Sequence, residues 1–156
     1  MDKDIGVQIC TMRDDMKSIT EIFREKKLKL TPQRIAVYDH LSHTTSHPTA
    51  EAIYRSLQEN FPIMSLATVY KSLNTLLEVE LITELDLGEG NSRYDANVCD
   101  HPHIQCTECG KVEDIMGLSL SPLCKELSKH SDYTHTGTRV YFYGVCRECA
   151  KGKSRI

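Results

Sequence analysis

Residues 95–109 read Asp-Ala-Asn-Val-Cys-Asp-His-Pro-His-Ile-Gln-Cys-Thr-Glu-Cys and place carboxylates, imidazoles and thiols close together in the chain. The stretch contains parts of two metal sites. Cys106 and Cys109 form a Cys-x-x-Cys pair, which needs a second pair to complete four ligands. His101 and His103 form a His-x-His pair, which needs ligands from elsewhere. The missing partners lie on opposite sides of the stretch, so the sequence predicts two halves that meet at metal.

A second Cys-x-x-Cys pair, Cys146 and Cys149, follows the stretch. Four thiolates in a tetrahedron are the preferred closed shell of structural zinc. The half of the chain that contains them is too small to be stable without a crosslink, and the metal would supply one. The alternative is a pair of disulfides or redox motifs, which a reducing compartment disfavours. Structural zinc is therefore the prediction for these four cysteines.

The composition favours a cytoplasmic protein of one ordinary domain or two small ones. The chain has 156 residues, and no apolar run approaches the roughly 20 residues of a membrane span. Its opening residues lack the layout of a signal peptide. Seven cysteines in a reducing cytoplasm are expected to be ligands or free thiols, which leaves Cys10, Cys99 and Cys124 without a role.

Net charge argues mildly against nucleic-acid binding by the whole chain. Residues 1–92 carry −4, from 10 basic and 14 acidic side chains, and residues 93–156 carry +1, from 9 basic and 8 acidic ones. A local patch is the exception, since residues 24–34 hold five positive charges against one negative. That patch can approach a phosphate backbone, although a solvated helix end is the simpler interpretation.

The first half predicts four helices. Apolar residues at helical spacing indicate a helix over about residues 14–27, and Thr31, Thr49 and Ser65 are predicted N-caps of the next three. In the second of the four helices, we expect Ile35, Tyr38 and Leu41 to face inward. The predicted stripes of the third and fourth consist of Ile53 and Leu57, and of Leu66, Val69, Leu73 and Leu76.

The last of these helices carries a polar face that suits hydrogen bonding to bases and phosphates, or simply an ordinary solvated surface. That face consists of Thr68, Tyr70, Lys71, Asn74 and Thr75. Extended character over residues 81–87, turn residues 88–91 and a return strand over 92–96 then predict a β-hairpin. Short helices followed by a hairpin form a winged helix, which inserts its last helix into the major groove.

The second half is predicted to be strand-rich, over about residues 102–106, 111–115 and 138–146, with a helix starting at Ser121-Pro122. In an extended segment, the rings of His101 and His103 point the same way and form a metal claw, whose alternative is an ordinary exposed pair. Asp95 and Asp114 are candidate further ligands, and His47 is one that spacing alone does not nominate. Three nitrogens and two carboxylate oxygens suit Fe²⁺ or Mn²⁺ better than structural zinc.

These motifs, in this order, resemble the ferric uptake regulator family over about residues 18–150. The matching segments are Thr31-Pro32-Gln33-Arg34, His47-Pro48-Thr49-Ala50, residues 65–70, the His-x-His and both Cys-x-x-Cys pairs. The resemblance implies a homodimeric, metal-dependent winged-helix repressor. Its fold class is α+β, with a DNA-binding domain over residues 1–92, a hinge over 93–98 and a small α/β dimerisation domain over 99–156.

Within the family, the chain is most similar to the peroxide-regulator branch. The resemblance implies regulatory Fe²⁺ or Mn²⁺ ligands at His47, Asp95, His101, His103 and Asp114. Asp114 is the residue that favours the peroxide-regulator branch, because iron-sensing relatives usually have Glu at this position. A further site of the iron sensors would fall on Asp100, Pro102, Ser121 and Thr138, three of which are not good ligands. His130 and His135 match no family ligand and are expected at the surface.

In the peroxide-regulator branch, Fe²⁺ reacts with hydrogen peroxide and an imidazole ligand is oxidised; the resemblance points to His47 and His101. The metal then leaves and repression ends, so the chain is not expected to be an enzyme. The expected operator is an AT-rich inverted repeat of double-stranded DNA. The expected contacts come from the first half: Lys26, Arg34, Ser65, Thr68, Tyr70 and Lys71.

Three alternatives remain open. The first is a repressor of the same family that responds to the iron or manganese level without a peroxide step. The second is a metal-dependent hydrolase using His101 and His103, for which no nearby base stands out. The third is a zinc-ribbon interaction module, which leaves His47 and Asp95 unexplained.

Overall fold

The computed structural model describes residues 18–88 and 92–153 and has an α+β fold. Its elements, in chain order, are α1 Ile19–Glu25, α2 Pro32–Ser42, α3 Ala50–Leu57, α4 Leu66–Glu78, β1 Thr83–Leu85, β2 Arg93–Asp95, β3 His103–Cys106, β4 Val112–Asp114, α5 Ser121–His130, β5 Tyr141–Gly144 and α6 Arg147–Lys153. The described residues group into two compact units. The N-terminal unit comprises residues 18–88, 92–98 and 111–113, and the C-terminal unit comprises 99–110 and 114–153.

Side-chain caps start all four helices of the N-terminal unit. The hydroxyl groups of Thr31, Thr49 and Ser65 accept hydrogen bonds from backbone N–H groups in the first turns of α2, α3 and α4, as predicted. Ser18 caps α1 in a capping box with Glu21. Helix α1 therefore starts later than the predicted helix over 14–27, whose first residues lie outside the described part of the chain.

The core of the N-terminal unit is built on the predicted stripe of α4, where Val69, Leu73 and Leu76 are fully buried. The prediction for α2 was partly wrong. Ile35 is 45 % exposed, whereas Val37 is fully buried together with Leu41. Val37 and Leu41 are one helical turn apart, and Ile35 lies about 200° around the helix from Val37, so it cannot share their face.

Strands β1 and β2 form the predicted antiparallel hairpin, in which Glu84 faces Tyr94. They are shorter than expected, and residues 89–91 of the turn lie outside the described residues. Strand β2 also contacts the segment before α3: the Tyr94 N–H donates to the Pro48 carbonyl at 3.2 Å, and Thr49 and Arg93 form an isolated bridge. The hairpin is therefore attached to the start of α3.

In the C-terminal unit, β3 and β5 pair in parallel, with His103 opposite Tyr141 and Cys106 opposite Gly144. The three-stranded sheet has the order β4-β3-β5, and of β4 only Asp114 belongs to the C-terminal unit. Parallel neighbours need a long crossover connection, and this one contains α5, which starts at Ser121 as predicted. Helix α6, which carries Cys149, was not predicted, because its seven residues show no helical apolar stripe.

No helix in the described part of the chain combines the length and the apolar character that crossing a membrane requires.

Candidate metal centres and nucleic-acid interface

The four predicted zinc ligands come together in the C-terminal unit. Cys106 ends β3 and Cys109 lies in the following turn. Cys146 immediately precedes α6, and Cys149 lies within it. Their sulfur atoms all lie within 4.8 Å of one another, and none of the four is in a disulfide. The pairing of β3 with β5 therefore aligns two Cys-x-x-Cys turns that are distant in sequence.

The spacing of the sulfur atoms fits a tetrahedral metal and not a disulfide. Zn–S bonds of about 2.3 Å place the sulfurs of a tetrahedron about 3.8 Å apart. The Sγ atoms of Cys109 and Cys146 are 3.8 Å apart, whereas a disulfide needs about 2.05 Å. The donor set and its geometry both fit structural zinc.

Backbone donors prepare one of these thiols for ionisation. The Cys146 N–H donates to the Cys106 sulfur at 3.3 Å and lowers the pKa of that thiol to about 6, with a second contribution from the Cys109 N–H. The side chain of Cys146, followed by that of Cys109, raises the pKa of Cys149 to about 12. Without a cation, the cluster thus favours ionisation at Cys106 and opposes it at Cys149.

A second group of ligands lies in the C-terminal unit around Asp114, the last residue of β4. The Asp114 Oδ1 atom is 3.0 Å from His101 Nε2 and 3.4 Å from His103 Nε2. The two imidazole centroids are 4.3 Å apart, and both side chains are less than 10 % exposed. The structure therefore brings the two imidazoles of the His-x-His pair together beside a carboxylate.

The tautomer of His101 is set by its own backbone neighbourhood. The His101 Nδ1 atom lies 2.7 Å from the Cys99 carbonyl oxygen, which can only accept, so Nδ1 donates. Nε2 lies 3.0 Å from Asp114 Oδ1 and donates to that carboxylate when the ring is protonated, whereas in the neutral ring its lone pair is available to a cation. Metal-binding histidines usually have one ring nitrogen hydrogen-bonded in this way.

His47 and Asp95 form a pair in the N-terminal unit. The His47 Nε2 atom is 3.5 Å from Asp95 Oδ2, and both side chains are buried. The other carboxylate oxygen, Oδ1, accepts the Asn97 N–H at 2.8 Å, which directs Oδ2 towards the imidazole. His47 has φ 47°, in the left-handed region that side chains other than glycine rarely adopt.

These distances fit either ligands arranged around a metal or direct imidazole–carboxylate hydrogen bonds. The types of donor atom favour the metal. Donors about 2.1 Å from a common metal lie about 3.0–3.4 Å apart, but imidazole–carboxylate hydrogen bonds have similar lengths. Three imidazoles and two carboxylates without sulfur form a donor set that suits Fe²⁺ or Mn²⁺. In the C-terminal unit, moreover, one carboxylate oxygen faces two imidazole nitrogens, as expected for ligands that converge on one cation.

The remaining cysteines and histidines differ partly from expectation. Cys99 is in a disulfide and is not the free thiol that was expected. The Cys124 thiol lies 3.3 Å from the Thr138 hydroxyl, and Cys10 lies outside the described residues. His130 and His135 are exposed, as predicted. The exposed positions of the two histidines separate them from both ligand groups.

The candidate DNA-contacting residues all lie in the N-terminal unit, on α4 and near α1 and α2. Tyr70 is 41 % exposed and Lys71 is exposed, whereas Thr68 is half-buried. The predicted polar face of α4 was wrong at Thr75, which is buried and whose hydroxyl donates to the Lys71 carbonyl. Because this hydrogen bond is made within the helix, the Thr75 hydroxyl can be buried without losing a hydrogen-bond partner.

Helix α4 starts with a pair of hydroxyl groups. Ser65 Oγ accepts the Thr68 N–H at 3.2 Å and lies 2.9 Å from Thr68 Oγ1. Ser65 is exposed, and a helix N-terminus attracts anions. Lys26 is an exposed residue at the C-cap of α1. The Arg34 guanidinium donates to the Lys29 carbonyl and lies over the Phe23 ring, yet a guanidinium has further N–H donors for a phosphate.

Two residues beside these sites were not found from the sequence. The Tyr70 hydroxyl donates to Glu51 Oε1 at 2.7 Å, which fixes the exposed ring of α4 to α3. This hydrogen bond lowers the pKa of Glu51 and raises that of Tyr70. Arg93 donates to the His47 carbonyl at 3.1 Å. No local pattern links residues 19 or 46 positions apart, so only the fold identifies them.

Comparison with known proteins identifies relatives along most of the chain. The model of the ferric uptake regulator family matches residues 25–143. The transcriptional regulator PerR of Clostridium acetobutylicum is 60 % identical over 134 residues, covering 86 % of this chain and 97 % of that protein. The peroxide-responsive repressor PerR of Staphylococcus aureus is 34 % identical over 146 residues, covering 93 % and 98 %.

A solved structure agrees with this result. The ferric uptake regulator Fur of Helicobacter pylori superposes with a TM-score of 0.71 at 25 % identity, covering 82 % of this chain and 86 % of that one. The similarity thus extends from sequence to fold.

Proposed function

The chain belongs to the ferric uptake regulator family, and on this premise we propose that it is a metal-dependent, DNA-binding repressor that senses hydrogen peroxide through iron-catalysed oxidation of its own histidines. It is a transcriptional regulator and not an enzyme. The observation that carries the proposal is a set of two carboxylate–imidazole groups that are at most 17 % exposed, His47 with Asp95 and His101 and His103 with Asp114. We place the protein in the cytoplasm.

The two units have separate tasks in this proposal. Residues 1–92 form a winged-helix DNA-binding domain, 93–98 a hinge, and 99–156 a dimerisation domain. Helices α1 to α4 and strand β1, which pairs with β2 at the start of the proposed hinge to form a hairpin, support the first assignment. The second is supported by exposed apolar side chains of the C-terminal unit, on α5 at Leu123 and Leu127 and on β5 at Phe142 and Tyr143, which a second copy of the chain would cover.

Zinc at the four cysteines has a structural role. Cys106, Cys109, Cys146 and Cys149 fill a tetrahedron and leave no position for a substrate or a water molecule. The thiols hold β3 and β5 to α6, so the metal replaces the apolar core that a unit of this size lacks. Zinc therefore supports the dimerisation domain without taking part in sensing.

One regulatory Fe²⁺ or Mn²⁺ is bound by all five ligands: His47, Asp95, His101, His103 and Asp114. Since the ligands belong to both domains, the binding free energy is available only to the arrangement that brings them together. Metal binding therefore shifts the population towards that arrangement, and this arrangement binds DNA. Loss of one ligand should reverse the shift.

His47, Asp95, His101, His103 and Asp114 would hold the Fe²⁺, which would supply the redox chemistry that activates hydrogen peroxide. One peroxide oxygen would then be added to a ligand imidazole, and the other would leave as water. The chain contributes the targets, His47 and His101, and holds each near a carboxylate, His47 in a buried position and His101 in a partly buried one. An oxidised imidazole is a weaker donor, so each modified histidine lowers the affinity of the whole ligand set. The change is confined to the chain itself, and the protein does not turn over.

The DNA partner is an AT-rich inverted repeat that binds one symmetric dimer. Helix α4 enters the major groove, where the Tyr70 ring meets thymine methyl groups and Lys71 reaches a phosphate or base edge. Ser65 and Thr68 approach a phosphate at the helix N-terminus, while Arg34 and Lys26 bind the backbone beside a narrow minor groove. Because the proposed contacts of Lys71, Arg34 and Lys26 neutralise phosphates, the affinity for DNA should fall as the salt concentration rises.

The test is a single ligand variant, His47→Ala. We expect it to keep stoichiometric zinc and the dimer but to lose Mn²⁺-dependent binding to a DNA duplex selected from a random pool with the wild-type protein. Zinc content, sedimentation and fluorescence anisotropy measure the three properties. His130→Ala, at an exposed histidine, is the matched control and should behave as wild type. Mn²⁺-dependent DNA binding by the His47 variant would contradict the proposal.

A second candidate is a repressor of the same family that responds to the iron or manganese level alone. The same five donors favour it, because they would bind either metal whether or not peroxide reacts there. The chain is similar in fold to the Helicobacter pylori ferric uptake regulator. The two candidates differ in one property, the covalent modification of His47 or His101 by peroxide in the iron-loaded protein.

A further inference from the structure

We propose that Arg93 is a positioning residue for the regulatory metal, because its guanidinium holds the backbone of His47 in the conformation that turns the imidazole towards Asp95. The inference rests on the proposed function, in which His47 is a ligand. It assigns a role to a residue of β2 that is neither a metal ligand nor a proposed DNA contact.

His47 occupies an unfavourable backbone conformation. Its φ of 47° lies in the left-handed region, where the Cβ of an L-residue approaches the following carbonyl oxygen. The next residue is Pro48, and a residue that precedes proline prefers extended backbone. A conformation of this kind persists only where the surrounding structure holds it, and such residues cluster at functional sites.

Strand β2 supplies the contacts that hold this segment. Arg93 Nη1 donates to the His47 carbonyl at 3.1 Å in a half-buried position, and a hydrogen bond from a charged donor is stronger than a neutral one. The next residues repeat the attachment, since the Tyr94 N–H donates to the Pro48 carbonyl and Thr49 bridges to Arg93. The Arg93 side chain thus adds one hydrogen bond to the backbone contacts that hold residues 47–49 against β2.

The same strand also carries the partner of the imidazole. Asp95 follows Arg93 by two residues, so both side chains leave β2 on the same side. Arg93 holds the carbonyl of His47, and Asp95 Oδ2 lies 3.5 Å from its ring. One strand therefore fixes the backbone and the side chain of a single ligand, and releasing the carbonyl should let the ring turn away from the carboxylate.

A purely electrostatic role for Arg93 makes the opposite prediction. A guanidinium near a divalent cation repels it, so removal of the charge would strengthen metal binding. If Arg93 acts by positioning, its removal weakens metal binding although a repelling charge has gone. The sign of the change in Mn²⁺ affinity therefore separates the two roles.

The experiment measures Mn²⁺ affinity, from the electron paramagnetic resonance signal of free Mn²⁺, for the full-length zinc-loaded protein. We expect Arg93→Met to weaken Mn²⁺ binding by about 10- to 100-fold, as outer-shell substitutions at metal sites do. Arg55→Met, at an exposed arginine of the same unit, should leave the affinity unchanged. In the zinc-loaded protein without Mn²⁺, Arg93→Met should also speed hydrogen exchange of the Tyr94 amide, while Arg55→Met should not.

Unchanged or tighter Mn²⁺ binding by a folded Arg93→Met variant overturns the inference. Zinc content and circular dichroism establish that the variant is folded; if it is not, Arg93→Lys takes its place. That variant keeps the charge but not the guanidinium geometry, and a several-fold weakening supports the inference while wild-type affinity overturns it. His47→Ala, measured in parallel, reports on the proposed function: if it binds Mn²⁺ like wild type, the ligand assignment itself fails.

Discussion

Tyr94 is the buried tyrosine of β2, and only 4 % of it is exposed. Burial raises the pKa of its phenol to about 12, and the negative charge of Glu84 acts in the same direction. The neutral phenol is therefore favoured in the folded protein, and its stabilising contribution is complete below about pH 10. We expect the free energy of unfolding of the N-terminal unit to fall as the pH rises from about 10 to about 12.

Denaturant titrations at a series of alkaline pH values measure this dependence. Tyr94→Phe keeps the ring and removes the ionisable group, so it should lose most of the decrease over this pH range. Tyr133→Phe, at a tyrosine that is 90 % exposed, should keep it. An equal decrease in wild type and Tyr94→Phe would assign the pH dependence to other groups.

The residues of the candidate sites differed in how far the sequence could identify them. Cys-x-x-Cys and His-x-His are local spacings, so six ligands could be selected without a fold. His47 lies 48 residues from Asp95 and has no local partner, and only resemblance to a family nominated it. Arg93 and Glu51 carried no signal, because their contacts form between elements that the sequence does not place beside each other.

At the scale of elements, helix α4 combines a structural start with a proposed DNA contact in one residue. Ser65 caps the helix by accepting the Thr68 N–H. We expect Ser65→Ala to lower the free energy of unfolding of the N-terminal unit by about 1 kcal/mol. Ser65→Asp should keep the cap and the stability, because aspartate is as good a cap and its charge suits a helix N-terminus.

DNA affinity should separate these two variants. A carboxylate about 4 Å from a phosphate costs about 1 kcal/mol in water, so Ser65→Asp should bind DNA about fivefold or more weakly despite its stability. Chemical denaturation and fluorescence anisotropy provide the two measurements. Wild-type DNA affinity in the Ser65→Asp protein would remove the N-terminus of α4 from the interface.

Helices that begin with an N-cap residue were predicted well. Thr31, Thr49 and Ser65 were identified as caps, and the helices begin where those hydroxyl groups bond. Helix α6 was missed, because its order follows from Cys149 joining the cysteine cluster and not from an apolar stripe. Each strand is shorter than its β-forming run, since pairing ends where the neighbouring strand ends, and this is a property of the assembled sheet.

At the scale of the whole molecule, the residues 95–109 that suggested two halves separate into two tasks. Cys106 and Cys109 belong to a closed set of four thiols inside one unit, whose geometry fits zinc. Asp95, His101 and His103 belong to the proposed regulatory ligands, which the two units supply together. A permanent site and a reversible site thus lie next to each other in sequence, and only the second is expected to respond to peroxide.

Peptide mapping of the iron-loaded protein after exposure to peroxide tests the central claim most directly. The protein is loaded with Fe²⁺ without oxygen, treated with micromolar hydrogen peroxide and digested for mass spectrometry, with the Mn²⁺-loaded protein as control. The account predicts the gain of one oxygen on the peptide containing His47 or His101 in the Fe²⁺ form alone, together with loss of DNA binding. Unmodified peptides with unchanged DNA affinity would contradict it.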